Sequence, residues 1–228
     1  MTRIYVRTFA SIARDFGLWV NAGSGLFPRN RLDAGSEELV PASAKIFNTS
    51  YTFSPSGEVA AITRKVNLVP TQEDVLGLSA AAVDELQVVD TPLGRLGTLI
   101  CYDGFHEPHT SREPKWQPCA SELDRLGATV VAQPSANAWA WDEPWVFNDP
   151  GENLLRSEQW FAEGLASSLG DLQHIRYAVN AQLVGQVLDN TFEAPSLVLE
   201  RCGSHVCELA RSADPRGEDV LHVRVEQP

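Results

Sequence analysis

Apolar and polar positions along this chain change period at glycines and prolines, and those changes mark out its elements. Residues 4–16 place Ile4, Phe9, Ile12, Ala13 and Phe16 close to one helical face. Gly17 stops that helix before a strand over residues 18–23. Two further strands, over 45–51 and 58–65, flank a Ser54-Pro55-Ser56-Gly57 turn. Residues 66–73 have no clear period and contain Pro70, so they read as a loop. A hairpin follows, with arms 87–90 and 94–101 around Thr91-Pro92-Leu93. A helix over 121–126 ends at Gly127 and gives way to a strand over 128–133. A tryptophan-rich loop over 134–150 leads to a helix around 153–169, then to strands over 175–181 and 196–200. Turns at Cys202-Gly203 and Pro215-Arg216-Gly217 belong to a closing set of antiparallel arms that ends with 220–225. Interleaved helices and strands with several hairpins predict a mixed sheet in a layered α/β fold.

Composition narrows the picture modestly. No Pro/Gly/Ser-rich linker divides the 228 residues, which predicts a single domain over 1–228. No apolar run approaches the ~18 residues of a membrane span. A net charge of −12 without a basic cluster argues against nucleic acid or an anionic membrane as partner. Arg3, Arg7 and Arg14 could suggest a presequence, but Asp15 and the strand pattern after it read as an ordinary helix entering a strand. Cys101, Cys119, Cys202 and Cys207 are too few and too unevenly spaced for a disulfide framework, so a reducing, cytoplasmic setting is expected.

The chemistry gathers around residues 96–104, Leu-Gly-Thr-Leu-Ile-Cys-Tyr-Asp-Gly. A buried strand that delivers Cys101 to a turn suits a nucleophile, because backbone N–H groups become free there to bind an oxyanion. A structural core cysteine is the alternative from this stretch alone. Lys65 at a strand end and Glu73 in the following loop could complete an acyl-transfer set, since an ammonium beside a thiol favours the thiolate and stabilises a tetrahedral oxyanion. His106 and His109 offer a Cys-His alternative, but both sit in a proline-broken loop and read as surface or loop histidines. Cys202, His205 and Cys207 supply three metal ligands and no fourth, so no metal is expected. Trp139, Trp141 and Trp145 either wall a substrate pocket or fill gaps in the packing, and Ser135 carries no assigned role.

Three stretches carry a family resemblance: Arg64-Lys65-Val66-Asn67-Leu68-Val69-Pro70-Thr71-Gln72-Glu73, then Gly97 through Glu107 around Cys101, then Gly127 through Ser135. They resemble the successive signatures of the nitrilase superfamily of carbon–nitrogen hydrolases. Arg176-Tyr177-Ala178-Val179-Asn180, Leu183-Val184-Gly185 and Ala194-Pro195-Ser196 extend the resemblance over almost the whole chain. It implies a four-layer α-β-β-α sandwich and hydrolysis of a non-peptide carbon–nitrogen bond through a Glu-Lys-Cys triad, without a cofactor. Cys101 then matches the nucleophile, Lys65 the catalytic lysine and Glu73 the second glutamate, while the Tyr102 N–H joins Lys65 in the oxyanion hole. Tyr102-Asp103-Gly104 is more similar to amidase-type members than to the Trp-Glu-Asn of nitrilases, which implies a small-molecule amide rather than a nitrile, and the family's habit implies a homo-oligomer.

One departure stands out. The family's triad glutamate lies well before the lysine, in a Pro-Glu pair that follows an opening strand and helix. Here Asp15 and Asp33 are the first acidic residues, and Glu37, Glu38 and Glu58 sit too close to Lys65 or in the wrong setting. The family's opening strand, helix and Pro-Glu strand are therefore expected to be missing. A hydrolase impaired for want of its general base is the expected reading, with an inactive subunit or binding scaffold as the alternative.

Overall fold

The computed structural model describes residues 2–32 and 39–226; Asp33, Glu37 and Glu38 lie outside the described residues. Helix α1 (Thr2–Phe16) precedes three long strands, β1 (Val20–Leu32), β2 (Leu39–Phe53) and β3 (Val59–Arg64), which form an antiparallel sheet in the order β1-β2-β3. The helix lays Tyr5, Phe9 and Ala13 on Phe27, Tyr51 and Phe53 of that sheet. This stripe, spaced by four residues, keeps to one face as a helix of 3.6 residues per turn requires. The expected face was drawn too wide, because Ile4 and Phe16 are 74% and 72% exposed. β1 also runs beyond residue 23, since its ladder with β2 continues past Pro28 to Leu32 where no apolar run announces a strand.

The second sheet has six strands: β4 (Val88–Thr91), β5 (Gly94–Thr98), β6 (Val130–Ser135), β7 (Tyr177–Gln182), β10 (Leu197–Cys202) and β11 (His205–Arg211). Their order is β11-β10-β7-β6-β5-β4, with β5, β6 and β7 mutually parallel and the outer pairs antiparallel. A small hairpin of β8 (Gly185–Val187) and β9 (Asn190–Phe192) stands apart. Helices α2 (Cys119–Arg125) and α4 (Leu165–Ser168) supply Leu123 and Leu165 to a core with Leu99, Val131, Ile175 and Leu197, and Phe161 of α3 (Arg156–Glu163) packs against it. A side-chain hydrogen bond crosses between the sheets: Asn21 Nδ2 of β1 donates to Thr98 Oγ1 of β5 at 2.9 Å, and within its own sheet to Thr52 Oγ1 at 3.1 Å. The layers run α1, three-stranded sheet, six-stranded sheet, α2 to α4, the α-β-β-α sandwich that the resemblance implies.

Three expectations are corrected. The helix expected over 153–169 is broken at Gly164, where the chain leaves helical geometry and a Cβ would lie 2.6 Å from the Trp160 carbonyl oxygen. Residues 220–225 form no ladder, and Val220 is 89% exposed. Cys202 and Cys207 are joined as a disulfide across the β10–β11 hairpin, which removes both thiols from any metal set and runs against the expected uniformly reduced cysteines. Among the described residues no group of three or more His, Cys, Asp or Glu is placed to hold a metal.

Candidate active site

β5 ends at Thr98, two buried residues follow, and Cys101 opens a short 3-10 turn over Cys101–Gly104 with φ at +52°. A left-handed backbone costs energy for any residue with a Cβ, so neighbouring contacts must hold it there. Gln133 Nε2 donates to the Cys101 carbonyl at 2.8 Å. Gly104 makes room for that amide, since a Cβ there would lie 2.1 Å from Gln133 Nε2. The Asp103 carboxylate accepts from the backbone N–H of Ile100 at 3.4 Å, Val66 at 3.2 Å and Asn67 at 2.7 Å. One carboxylate thus ties the cysteine turn to the two residues that follow Lys65. Among the described residues no acceptor takes up the Tyr102 N–H, as an oxyanion donor requires.

Lys65 leaves β3 pointing inward and is only 2% exposed. Its Nζ lies 2.5 Å from Glu73 Oε2, and Glu73 also accepts from Asn48 Nδ2 at 2.9 Å and from the Val69 N–H at 3.0 Å. Burial pulls the Lys65 ammonium down, but Cys101, Glu73 and Asp103 together outweigh it and hold the group above the ordinary lysine range. Burial likewise raises Glu73, but Lys65 outweighs it and leaves the carboxyl below its usual range. At Asp103 burial wins over Lys65 and the backbone donors, and the carboxyl is pushed up to about 6. Cys119, the other free thiol, is buried beside Asp103; burial first and then that carboxylate push it up.

The histidines divide. His106 is exposed, whereas His109 lies in the loop as expected but is buried there rather than at the surface. The His109 ring stacks on Tyr102 with centroids 3.9 Å apart, and burial lowers it to about 2, so it is neutral. Its Nδ1 lies 3.2 Å from Gln159 Nε2 and 3.3 Å from Glu163 Oε2. Glu163 is pushed by burial to about 7. A cleft of about 1230 Å³ runs past this corner, lined by Asn67, Pro70, Glu113, Trp145 and Glu163 among others.

Of the three tryptophans singled out in the sequence, Trp141 and Trp145 are each 5% exposed and Trp139 is partly exposed. Trp139 and Trp145 surround a residue that no sequence signal picked out: Arg156, the first residue of α3, is 2% exposed and its guanidinium carbon lies 4.1 Å from the Trp145 ring centroid and 5.0 Å from that of Trp139. Sequence reasoning also missed Asp103 and Gln133 as contacts of the cysteine turn. Asp103 lay within the quoted stretch, and Gln133 could have been noticed as an amide inside an apolar strand.

Comparison with known proteins finds relatives of this chain and of its fold. The family described as carbon-nitrogen hydrolase matches residues 4–109. Over 138 residues the chain is 30% identical to the nitrilase and fragile histidine triad fusion protein NitFhit of Drosophila melanogaster, covering 58% of this chain and 25% of that protein. Over 186 residues it is 27% identical to a hydrolase of Schizosaccharomyces pombe, covering 75% of this chain and 52% of that one. The chain therefore spans a quarter and about half of these relatives' lengths. A carbon-nitrogen hydrolase from Helicobacter pylori G27 superposes with a TM-score of 0.64 at 19% identity, over 95% of this chain and 65% of that one. An amidase of the nitrilase superfamily from Nesterenkonia AN1 gives 0.62 at 19%, over 92% and 64%. These structural likenesses carry the fold.

Proposed function

Because this chain belongs to the carbon-nitrogen hydrolase, or nitrilase, superfamily, we propose that it is built to cleave a small-molecule amide with Cys101 as nucleophile. The observation that carries this reading is the buried Lys65–Glu73 pair, tied through Asp103 to the turn that holds Cys101 left-handed. In the first step the Cys101 sulfur bonds to the amide carbonyl carbon while the Lys65 ammonium and the Tyr102 N–H take the oxyanion. The carbon–nitrogen bond then breaks, and the amine departs with the proton given up by the thiol. Water adds to the resulting thioester, releasing the acid and restoring the Cys101 S–H. Glu73 fixes the ammonium and keeps it charged. An amidase structure with acrylamide added at its active-site cysteine supports the choice of amide over nitrile by likeness only.

The thiol proton needs an acceptor. Glu73 is committed to Lys65, Asn48 and Val69, and Asp103 to three backbone donors, so neither carboxylate is free for that work. On this ground we hold that the 228-residue chain alone turns over slowly, and the same observation favours an inactive subunit or scaffold as the second reading. The resemblance also carries a homo-oligomer into the proposal, and the cysteine usage a cytoplasmic setting, against which the Cys202–Cys207 pair weighs.

The test is ammonia release from butyramide by the wild-type chain, Cys101→Ala, Lys65→Ala and His106→Ala, each confirmed folded by circular dichroism. Weak release that vanishes with Cys101→Ala, falls about 10²- to 10³-fold with Lys65→Ala and survives His106→Ala is expected. Rapid turnover dependent on Cys101 overturns the impaired reading, and loss in the His106 variant with Lys65→Ala unaffected overturns the lysine assignment.

A further inference from the structure

The loop after the cysteine turn closes back on Tyr102. That residue is 1% exposed, and its ring stacks on His109 and meets Phe105 edge-on with centroids 5.6 Å apart. Its hydroxyl accepts from the His109 backbone N–H at 2.5 Å and donates to Glu113 Oε2 at 2.8 Å. Glu113 Oε1 in turn accepts from the Thr110 N–H at 2.7 Å and from Thr110 Oγ1 at 3.1 Å. Burial, with the Glu113 and Glu163 carboxylates, outweighs the His109 N–H and pushes the phenol up, so it keeps the proton it donates. A hydrogen bond from a hydroxyl to a carboxylate is roughly twice as strong as a neutral one. Glu113 therefore fastens both the loop over 109–113 and the far end of the Tyr102 side chain.

The near end of the same residue carries the N–H assigned to the oxyanion. It belongs to the peptide unit between Cys101 and Tyr102, whose carbonyl oxygen accepts from Gln133 Nε2 at 2.8 Å. A trans peptide is planar, with its C=O and N–H pointing opposite ways, so whatever fixes the plane fixes the direction of the donor. Gln133 holds one side of this plane. On the other side no acceptor among the described residues takes the N–H, and the backbone at Cys101 is left-handed, which a residue with a Cβ adopts only under restraint. The restraint there comes from the Tyr102 side chain, which Glu113 pins at its tip.

We infer that Glu113 is a positioning residue for the oxyanion site: through the Tyr102 hydroxyl it sets the plane in which the Tyr102 N–H meets an oxyanion developing at Cys101. This rests on the amide-hydrolase reading for the identity of the reacting group. Glu113 acts through Tyr102 and takes no proton from the reaction. Because Glu113 and His109 also line the cleft, the cleft wall and the oxyanion donor form one connected structure.

The experiment compares two reactions of Cys101. Acylation by p-nitrophenyl acetate joins the sulfur to the ester carbonyl carbon, passes through an oxyanion and expels p-nitrophenolate, with the thiol proton going to water. Alkylation by iodoacetamide joins the same sulfur to a methylene carbon and expels iodide, with no oxyanion. Loss of thiolate, access or fold slows both reactions, whereas a misaimed donor slows acylation alone. The nitrophenolate burst, corrected with Cys101→Ala, reads the first, and peptide mass spectrometry reads the second. Glu113→Ala, confirmed folded by circular dichroism, should slow acylation about tenfold and leave alkylation within about twofold, a part of the ~10²–10³ that a whole oxyanion donor supplies. Tyr102→Phe, which keeps the N–H, should match it, and the double variant should be no slower than either single one. Glu113→Gln, which keeps an oxygen for the phenol, should recover part of the rate. Unchanged acylation in Glu113→Ala, equal slowing of both reactions, or losses that multiply in the double variant overturns the inference. Should Glu113→Ala fail to fold, the ratio of the two rates in Tyr102→Phe and Glu113→Gln decides the matter. Failure of the hydrolase reading is distinguishable: a wild-type chain alkylated at Cys101 without a burst sinks both, whereas a normal burst indifferent to Glu113 sinks this inference alone.

Discussion

Lys65 and Arg156 are each 2% exposed, and the regions that hold them treat a buried charge in opposite ways. Around Lys65 charge meets charge: Glu73 lies 2.5 Å away, and Cys101 and Asp103 add to the field that keeps the ammonium protonated. Around Arg156 the partners are neutral, two side-chain amides in the plane and aromatic rings on the faces. Its route to a carboxylate is indirect, since Gln159 accepts from Arg156 with its oxygen and donates to Glu163 with its nitrogen. A cation with a resident counter-ion is ready to stabilise charge that appears and disappears during a reaction. A cation without one depends on neutral amides and ring faces to offset the loss of its hydration.

The sharpest way to break this comparison is to remove each charge with a side chain of similar length. Lys65→Met strands Glu73 in a buried site, and removing one partner of a buried pair costs about 3–5 kcal/mol. Arg156→Met strands no carboxylate; it leaves the Asn137 and Gln159 oxygens short of a donor and should cost about 1–3 kcal/mol. Urea unfolding followed by circular dichroism measures both. Equal losses, or a larger loss for Arg156→Met, would mean that Arg156 has a charged partner after all and that the two regions are built alike.

A smaller effect sharpens the Lys65 side. Cys101 and Cys119 are the free thiols, and Cys119 is fully buried, with its thiol pushed up by burial and by Asp103. Brief, substoichiometric iodoacetamide without reductant should therefore label Cys101 at least about tenfold ahead of Cys119, since reactivity follows the accessible thiolate. Peptide mass spectrometry reads the ratio. Preferential labelling of Cys119 would remove Cys101 from the nucleophile's place.

How far these regions could be read from the sequence follows from how local their interactions are. The Cys101 turn was legible because an apolar run stops abruptly there, and Lys65 and Glu73 because they bound a short loop after a strand. The layered fold was legible because Gly17 and Gly127 divide helix from strand. The role of Asp103 was not, because a carboxylate just after a turn looks the same whether it faces water or holds the N–H groups of Val66 and Asn67. Arg156 gave no signal at all. An arginine opening a helix ordinarily reaches solvent, and only packing against Trp139, Trp145 and Trp160 turns this one inward. The face of α1 was misjudged for a related reason: Ile4 lies about 100° around the helix from Tyr5 and so off the stripe that meets the sheet, while Phe16 is the helix's last residue.

The subtlest difference between the two regions is in how they respond to pH, and Glu163 carries it. Glu73 is held below its usual range, so it contributes stability above the unfolded carboxyl value and loses it as pH falls through its own. Glu163 has the opposite sign. Burial, with Glu107 and Glu113 nearby, pushes it to about 7, with Arg156 and the Gln159 donor opposing, while His109 beside it stays neutral. The folded state then holds its proton more tightly than the unfolded one, and stability falls as pH rises from about 4.3 to about 7 and levels off above. Asp103 has the same sign and is still titrating near 6, so it is the difference between wild type and variant across 6 to 7.5, not the wild-type profile by itself, that isolates Glu163. Allowing for solvent screening at its partly exposed side chain, Glu163→Gln should remove a decline on the order of 1 kcal/mol across that interval. Urea midpoints of wild type and variant at closely spaced pH values make the comparison. Parallel profiles from pH 6 to 7.5 would mean that Glu163 is ionised throughout, and that Arg156 has, through Gln159, the counter-ion that its surroundings otherwise deny it.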